Sequence, residues 1–316
     1  MSIFSKPSNY RVPAVFHWMN LLKYCGCCIK GKSRMADYAL ELKGLTKRYD
    51  GFTLDHVSFA LPRGCIMGFI GENGAGKSTT VKLILDLVHR DEGEISILGS
   101  SDSSEMIRLK EDIGVVLDES CFPDILNAKS VGKMMKYVYK NWDAESYSNW
   151  IRQFSLPPDR KIREYSKGMK MKLAIAVALS HHAKLLIMDE ATSGLDPVVR
   201  DEILDAFLEF IQDEEHSIFL SSHIISDLEK ICDYITLIHK GKVLLCEQKD
   251  VLLEEYGVLK CSEEELEELE PSAVKGVRKH QFGVEALVRR NMVPAGMVVD
   301  PAGIEEIMLF LVKERA

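Results

Sequence analysis

The chain's apolar positions follow two repeats in turn, one of two residues and one of three to four, and the places where one replaces the other mark its elements. Residues 36–42 alternate as a half-buried strand does, and residues 38–62 read as short strands around the turn dipeptide Asp50-Gly51. Residues 65–70 form a continuous apolar run, the pattern of a strand covered on both faces. Helical spacing takes over in residues 80–88, and strand patterns return at 94–99 and 113–117. Residues 122–156 are helical in period. Val131, Met134, Met135, Val138 and Trp142 fall on one stripe and Ile151 and Phe154 on another, and both stripes read as core contacts. Pro157-Pro158 ends that run.

The second half repeats the strand-to-helix alternation. A strongly helical segment, 172–179, precedes the apolar strand 185–190; Pro197 opens a helix that runs to Ile211, and 217–223 is a further strand. Residues 235–238 and 242–245, joined through Lys240-Gly241, form a closing hairpin. Residues 262–270 are acidic and read as a solvated helix or linker. Strand-like fragments in 273–298 then lead to a final helix, capped by Asp300-Pro301, with Ile304, Ile307, Met308, Phe310 and Leu311 at its apolar positions.

The chemistry sits at the joints of this pattern. Gly71-Glu72-Asn73-Gly74-Ala75-Gly76-Lys77-Ser78, followed by Thr79, matches a phosphate-binding loop at every position and lies between a strand and a helix, as such a loop must. Its glycines allow successive N–H groups to face a polyphosphate, and the helix N-terminus adds its positive end. Lys77 reaches the β- and γ-phosphates in such loops, Ser78 offers its hydroxyl to Mg²⁺, and Thr79 can bond another phosphate oxygen. Asp189 and Glu190 end the strand at 185–190. The first is placed to hold Mg²⁺ and the second to polarise an attacking water. His223 ends a strand where an imidazole can bond the γ-phosphate. Ser166 and Gly168 begin a helix, which makes a second anion-binding end. Tyr49, just before the Asp50-Gly51 turn, offers an aromatic face for an adenine ring, although by itself it reads as strand packing.

Composition narrows the field. A chain of 316 residues, 46% hydrophobic and 28% charged, is of ordinary globular type and long enough for about two domains. The net charge of -8 gives no basic footprint for nucleic acid, and none is expected as a partner. No uninterrupted apolar stretch is long enough to cross a bilayer as a helix. Eight scattered cysteines, with Cys25, Cys27 and Cys28 clustered but lacking a second ligand group, fit a reducing compartment.

Together these stretches resemble the nucleotide-binding subunits of ATP-binding cassette (ABC) transporters over about residues 38–247. The motifs occur in family order: the phosphate loop, Tyr165-Ser166-Lys167-Gly168-Met169 as signature, Asp189-Glu190, Ser193-Gly194-Leu195-Asp196, and His223. The resemblance implies an α/β P-loop NTPase fold with an ABC-type ATPase core. That core combines a RecA-like parallel sheet, an antiparallel β subdomain and a helical subdomain, followed here by a small C-terminal appendage. It implies ATP and Mg²⁺ as cofactors, Glu190 as catalytic base, Tyr49 as adenine platform, and catalytic roles for Lys77 and His223. It also implies two such domains, in a homodimer or heterodimer, paired head to tail so that Ser166 and Gly168 of one close on ATP held by the other. The expected partner is a separate integral-membrane permease, with the protein peripheral on the cytoplasmic face of the membrane. Two positions depart from the family. The signature has Tyr, Lys and Met at its first, third and fifth places, and Asp118 stands where a glutamine is usual, as a shorter, charged candidate for ordering Mg²⁺ or water. The signature, the Ser-Gly-Leu-Asp loop and the C-terminal tail most resemble bacterial exporter-type subunits.

The expected organisation is an N-terminal extension at 1–35, disordered or not native; an ATP-binding domain at 36–247 with its helical subdomain at about 122–180; and an accessory domain at 248–316. For the extension the competing reading is a membrane-surface anchor using Phe16, Trp18, Leu21 and Leu22 with lipidated cysteines. The function expected is ATP hydrolysis driving a separate permease for export. The alternatives are a soluble nucleotide-dependent regulator and a ribosome- or DNA-associated ATPase. One phosphate loop and the lack of sustained heptads argue against the last of these.

Overall fold

Asp50 and Gly51 turn the chain so that Tyr49 pairs with Phe52, closing the hairpin of β1 (Tyr38–Tyr49) and β2 (Phe52–Pro62). The structure is a computed structural model that describes residues 38–101, 105–118, 122–281 and 283–313, all within the unit Met35–Ala316. The extension or anchor expected at residues 1–35 lies outside the described residues. In chain order the next elements are β3 (Ile66–Ile70), α1 (Lys77–Ile84), β4 (Glu92–Ile97), α2 (Met106–Leu109), β5 (Ile113–Val116), α3 (Ala128–Val138), α4 (Ala144–Gln153) and α5 (Lys167–Leu179). After them come β6 (Leu185–Asp189), α6 (Pro197–Phe210), β7 (Ser217–Ser222), α7 (Ile225–Ile231), β8 (Tyr234–His239) and β9 (Lys242–Gln248). The tail holds α8 (Lys249–Glu255), β10 (Tyr256–Cys261), α9 (Glu263–Glu267), β11 (Val274–His280), β12 (Gly283–Arg289), β13 (Val299–Pro301) and α10 (Ile304–Lys313).

The central sheet has the order β5-β6-β7-β3-β8-β9, parallel except for the edge strand β9. Every residue of β3, β6 and β7 is buried, as strands covered on both faces require. On one face lies the antiparallel sheet β2-β1-β4. Phe59 of β2, Phe69 of β3 and Phe219 of β7 join the two layers, with all three ring centroids 5.4 Å apart. A second core gathers α3, α4, α5, α6 and α7 against the central sheet. Leu173, Phe207 and Leu228 are among its fully buried members, and it runs on without a break into Tyr256, Leu287 and Phe310 of the tail.

The tail is itself a four-stranded antiparallel sheet, β11-β12-β10-β13, with α10 laid across β11. Two local expectations are corrected here. Asp300 and Pro301 belong to strand β13, paired with Val258 and Gly257, and the final helix begins at Ile304. Proline is tolerated there because β13 is an edge strand, and Asp300 is tied to Lys260 at 2.9 Å. The helix N-terminus is met instead by Glu229 of α7, whose Oε1 accepts from Ile304 N at 2.8 Å.

The helical run at 122–156 is likewise two helices, each with its own cap. Asn127 accepts from Ser130 N ahead of α3, and Asp143 accepts from Glu145 N and Ser146 N ahead of α4. The stripe assigned to the core is divided. Val131 and Met135 are buried, but Met134 is 36% and Val138 56% exposed, and Tyr137 beside them is 91% exposed. This face of α3 is a surface stripe.

Candidate functional site

The parallel strands β3, β6 and β7 end on the same edge of the sheet, and the residues singled out in the sequence emerge there, as open parallel sheets dispose their sites. After β3 the chain enters the loop Gly71–Gly76. Gly71 has to be glycine because a Cβ would stand 2.4 Å from the Ile238 carbonyl oxygen, and Gly76, at φ +115, turns the backbone into α1. Lys77 is buried. Its Nζ donates to Gly71 O at 2.8 Å and Glu72 O at 3.3 Å, so the ammonium is held at the centre of the loop. Ser78 is exposed on the first turn of α1, Thr79 is half-buried, and Thr80 turns inward to bond Gly76 O at 2.9 Å. Glu72, Asn73 and Gly74 form the open rim of the loop and Ala75 packs beneath it.

Asp189 closes β6, is buried, and accepts a hydrogen bond from the Ser221 hydroxyl of β7, which fixes one carboxylate oxygen. The sequence by itself assigns Ser221 no role. Its one signal is the polar pair Ser221-Ser222 following the apolar stretch Ile218-Phe219-Leu220. Glu190 follows in the left-handed region at φ +54, which non-glycine residues seldom adopt, with its N–H bonded to Ser221 O at 3.0 Å. Its carboxylate spans two partners: Oε1 lies 3.3 Å from Lys77 Nζ and Oε2 2.6 Å from His223 Nδ1. Three separate motifs thus meet at one carboxylate.

The remaining candidates lie around this centre. Tyr49 is half exposed at the tip of the β1–β2 hairpin, with Lys47 Nζ 5.7 Å from its ring centre, and Phe52 of the same hairpin packs against Gly76. Ser166 caps α5 by accepting from Met169 N at 3.2 Å, and Gly168 packs tightly on Val199, where a Cβ would come within 3.0 Å. Asp118, just past β5, accepts from Lys167 Nζ of the signature segment at 3.1 Å, and that ammonium also borders Gly194. In the sequence Lys167 stands out only as a departure from the signature. Its role as the partner of Asp118 comes from the folded arrangement.

Among the described residues no group of three or more His, Cys, Asp or Glu side chains is gathered around a common point that could hold a metal. The donors present, the Ser78 hydroxyl and the Asp189 carboxylate, are few and all oxygen. That suits Mg²⁺, which binds through one or two protein oxygens together with phosphate oxygens and water. The four cysteines among the described residues are free thiols, and burial raises each above its usual value, Cys65 to about 11, which disfavours the reactive thiolate. No helix among the described residues is long and apolar enough to cross a membrane.

Comparison with known proteins agrees with this geometry. Residues 54–193 match the ABC transporter family. The chain is 34% identical over 213 residues to the ABC transporter ATP-binding protein YhcH of Bacillus subtilis, covering 65% of this chain and 68% of that one. It is 33% identical over 216 residues to the bacitracin transport ATP-binding protein BcrA of Bacillus licheniformis, again covering 65% and 68%. Among solved structures, cbiO1 of Clostridium perfringens, part of the ABC transporter complex cbiONQ, superposes with a TM-score of 0.59 at 25% identity, over 69% of this chain and 92% of that one. The chain therefore belongs to the ATP-binding proteins of ABC transporters, and it is an ATP-binding, ATP-hydrolysing cassette.

Proposed function

We propose that this cassette drives a separate integral-membrane permease in export, from the cytoplasmic face of the membrane, with hydrolysis centred on Glu190. The observation that carries the reading is the convergence of Lys77, Glu190 and His223, three motifs brought together with polar atoms 3.3 Å and 2.6 Å apart. Lys77 binds the β- and γ-phosphate oxygens, and the N–H groups of Gly74 and Gly76 line the polyphosphate with Thr79 beside them, while the Ala75 N–H closes the loop on Glu72 O at 3.1 Å. Tyr49 supports the adenine. Glu190 takes the proton of the attacking water, and His223 orients Glu190 through Nδ1. Ser78 and Asp189 would hold Mg²⁺, which when bound neutralises charge on the phosphate oxygens. Asp118 would join them only on leaving Lys167.

Two copies, or one copy and a related cassette, close head to tail so that Ser166 and Gly168 at the start of α5 meet the partner's ATP. The exposed stripe Met134, Tyr137 and Val138 on α3 supports a permease contact, because three large apolar side chains on one helix face need a cover. Residues 36–247 act as the motor and 248–316 as an accessory domain built on it. Export is favoured by the likeness to BcrA, whose name assigns it to bacitracin transport.

The test is co-purification of the full chain from detergent-solubilised membranes, beside a Tyr137→Glu variant. Recovery of a multi-span protein with the wild-type chain, lost in the variant while ATP turnover stays, supports the reading. Co-sedimentation of the wild-type chain with ribosomes or DNA and not with membranes overturns it.

A further inference from the structure

Glu72, the second residue of the phosphate loop, puts a carboxylate on the part of the chain that must hold a polyphosphate. Its own carbonyl accepts from Lys77 Nζ at 3.3 Å, so the residue sits against the ammonium that meets the phosphates. A free carboxylate there would repel the ligand.

The carboxylate is not free of its surroundings. Glu72 Oε2 lies 3.5 Å from Nδ1 of His239, the last residue of β8. His239 is 6% exposed, and neither ring nitrogen has a hydrogen-bond partner. Burying an imidazole without partners costs free energy, so its place against Glu72 calls for an explanation beyond packing. The backbone beside it is tied by hydrogen bonds to two other segments. Lys240 (φ +45) and Gly241 (φ +79) make the two-residue turn to β9, and Gly241 N donates to Ala75 O at 2.9 Å while Gly241 O accepts from Asp55 N at 2.8 Å. On the other side of the histidine, the Ile238 carbonyl presses on Gly71. The β8–β9 turn thus grips the phosphate loop at Gly71 and at Ala75, and His239 stands between these two contacts facing Glu72.

We infer that His239 is a positioning residue for ATP binding: it holds the Glu72 carboxylate aside, so that the loop carries an acid without excluding the polyphosphate. The inference rests on the loop's holding ATP as proposed above. His239 touches neither nucleotide nor reacting water. Its effect therefore falls on KM rather than kcat, and it exists only while residue 72 carries a carboxylate.

The experiment measures ATP KM and kcat for the full chain and for H239Q, E72D, E72Q and H239Q/E72Q. H239Q is expected to raise KM roughly five-fold with kcat within about two-fold, the size of effect one unit charge exerts when released several ångströms from a polyphosphate in partly hydrated surroundings. E72D leaves the buried histidine untouched but draws the carboxylate out of its reach, and it raises KM in the same way. E72Q lowers KM, and adding H239Q to it makes no further change. The inference is overturned if H239Q has the same KM defect in the E72Q background as in the wild-type chain, or if E72D and E72Q behave alike. K77A is run in parallel to keep the two readings apart: retention of full ATP affinity in that variant discredits the phosphate loop as the ATP site, whereas the His239 inference stands or falls on the other four.

Discussion

Glu190→Gln separates binding from chemistry, and the structure sets the scale of both effects. One oxygen of the Glu190 carboxylate lies 3.3 Å from Lys77 Nζ and the other 2.6 Å from His223 Nδ1. A γ-phosphate arriving at Lys77 competes with that carboxylate for the ammonium. At an effective dielectric of about 20, the Coulomb attraction at this separation is about 5 kcal/mol. Desolvation of a buried pair offsets most of it, which leaves on the order of 1–2 kcal/mol. Removing the charge while keeping the side-chain shape should therefore tighten ATP binding by roughly ten-fold. The same change removes the proposed proton acceptor, an expected loss of roughly 10²–10⁴ in kcat, equivalent to about 3–5 kcal/mol of barrier. Titration calorimetry at low temperature gives the first quantity and single-turnover phosphate release the second. A variant that hydrolyses ATP within about three-fold of the wild-type rate would falsify the assignment of the base. Weaker ATP binding would show that Glu190 does not compete for Lys77.

Particular contacts set three further outcomes. Ser166→Ala in the Glu190→Gln background should abolish the ATP-dependent dimer, seen by size exclusion, while each chain still binds ATP; persistence of the dimer removes the signature from the interface. Gly241→Ala forces a Cβ to within 2.0 Å of Thr53 O at a backbone φ of +79, and should cost more than about 2 kcal/mol in urea unfolding. An unchanged midpoint would mean that the β8–β9 turn can relax without loss. His181 is fully buried, stacked on Tyr139 at 3.9 Å, and burial lowers its imidazole below the usual 6.5. The unfolded chain then takes up this proton first, so stability is complete above about pH 6.5 and falls as pH drops from there toward the folded-state value. His181→Gln should flatten that part of the stability curve between pH 7.5 and 5.5, and a slope left intact would assign it to another group.

What the sequence carries well is what depends on neighbours along the chain. The phosphate loop is legible because glycine, lysine and hydroxyl must follow one another between a strand and a helix. The buried strands β3 and β6 are legible because strands covered on both faces read as near-continuous apolar runs. The hairpins at Asp50-Gly51 and Lys240-Gly241 announce themselves by turn chemistry. What it carries poorly is set across space. The face of α3 divides between core and surface according to which neighbours cover it, and a helical period alone cannot tell Met135 from Met134 when both are methionine. Asp300-Pro301 looks like a helix cap until β10 offers an edge on which a residue without an N–H can sit. The candidate site shows the same division. Asp189 and Glu190 are adjacent in sequence, yet the hydroxyl that fixes the first comes from Ser221 and the imidazole that engages the second from His223, each more than thirty residues away. Asp118 and Lys167, two departures from the family pattern that look unrelated in the sequence, turn out to be one charge pair. Glu72 and His239 extend the point to control of the loop's charge. Each residue is ordinary in its own segment, and only the packing of the β8–β9 turn on the phosphate loop makes the histidine answer the acid. Where a motif contains a residue at odds with its chemistry, as a carboxylate is at odds with a phosphate loop, the compensating group has to be sought among what the fold brings against it.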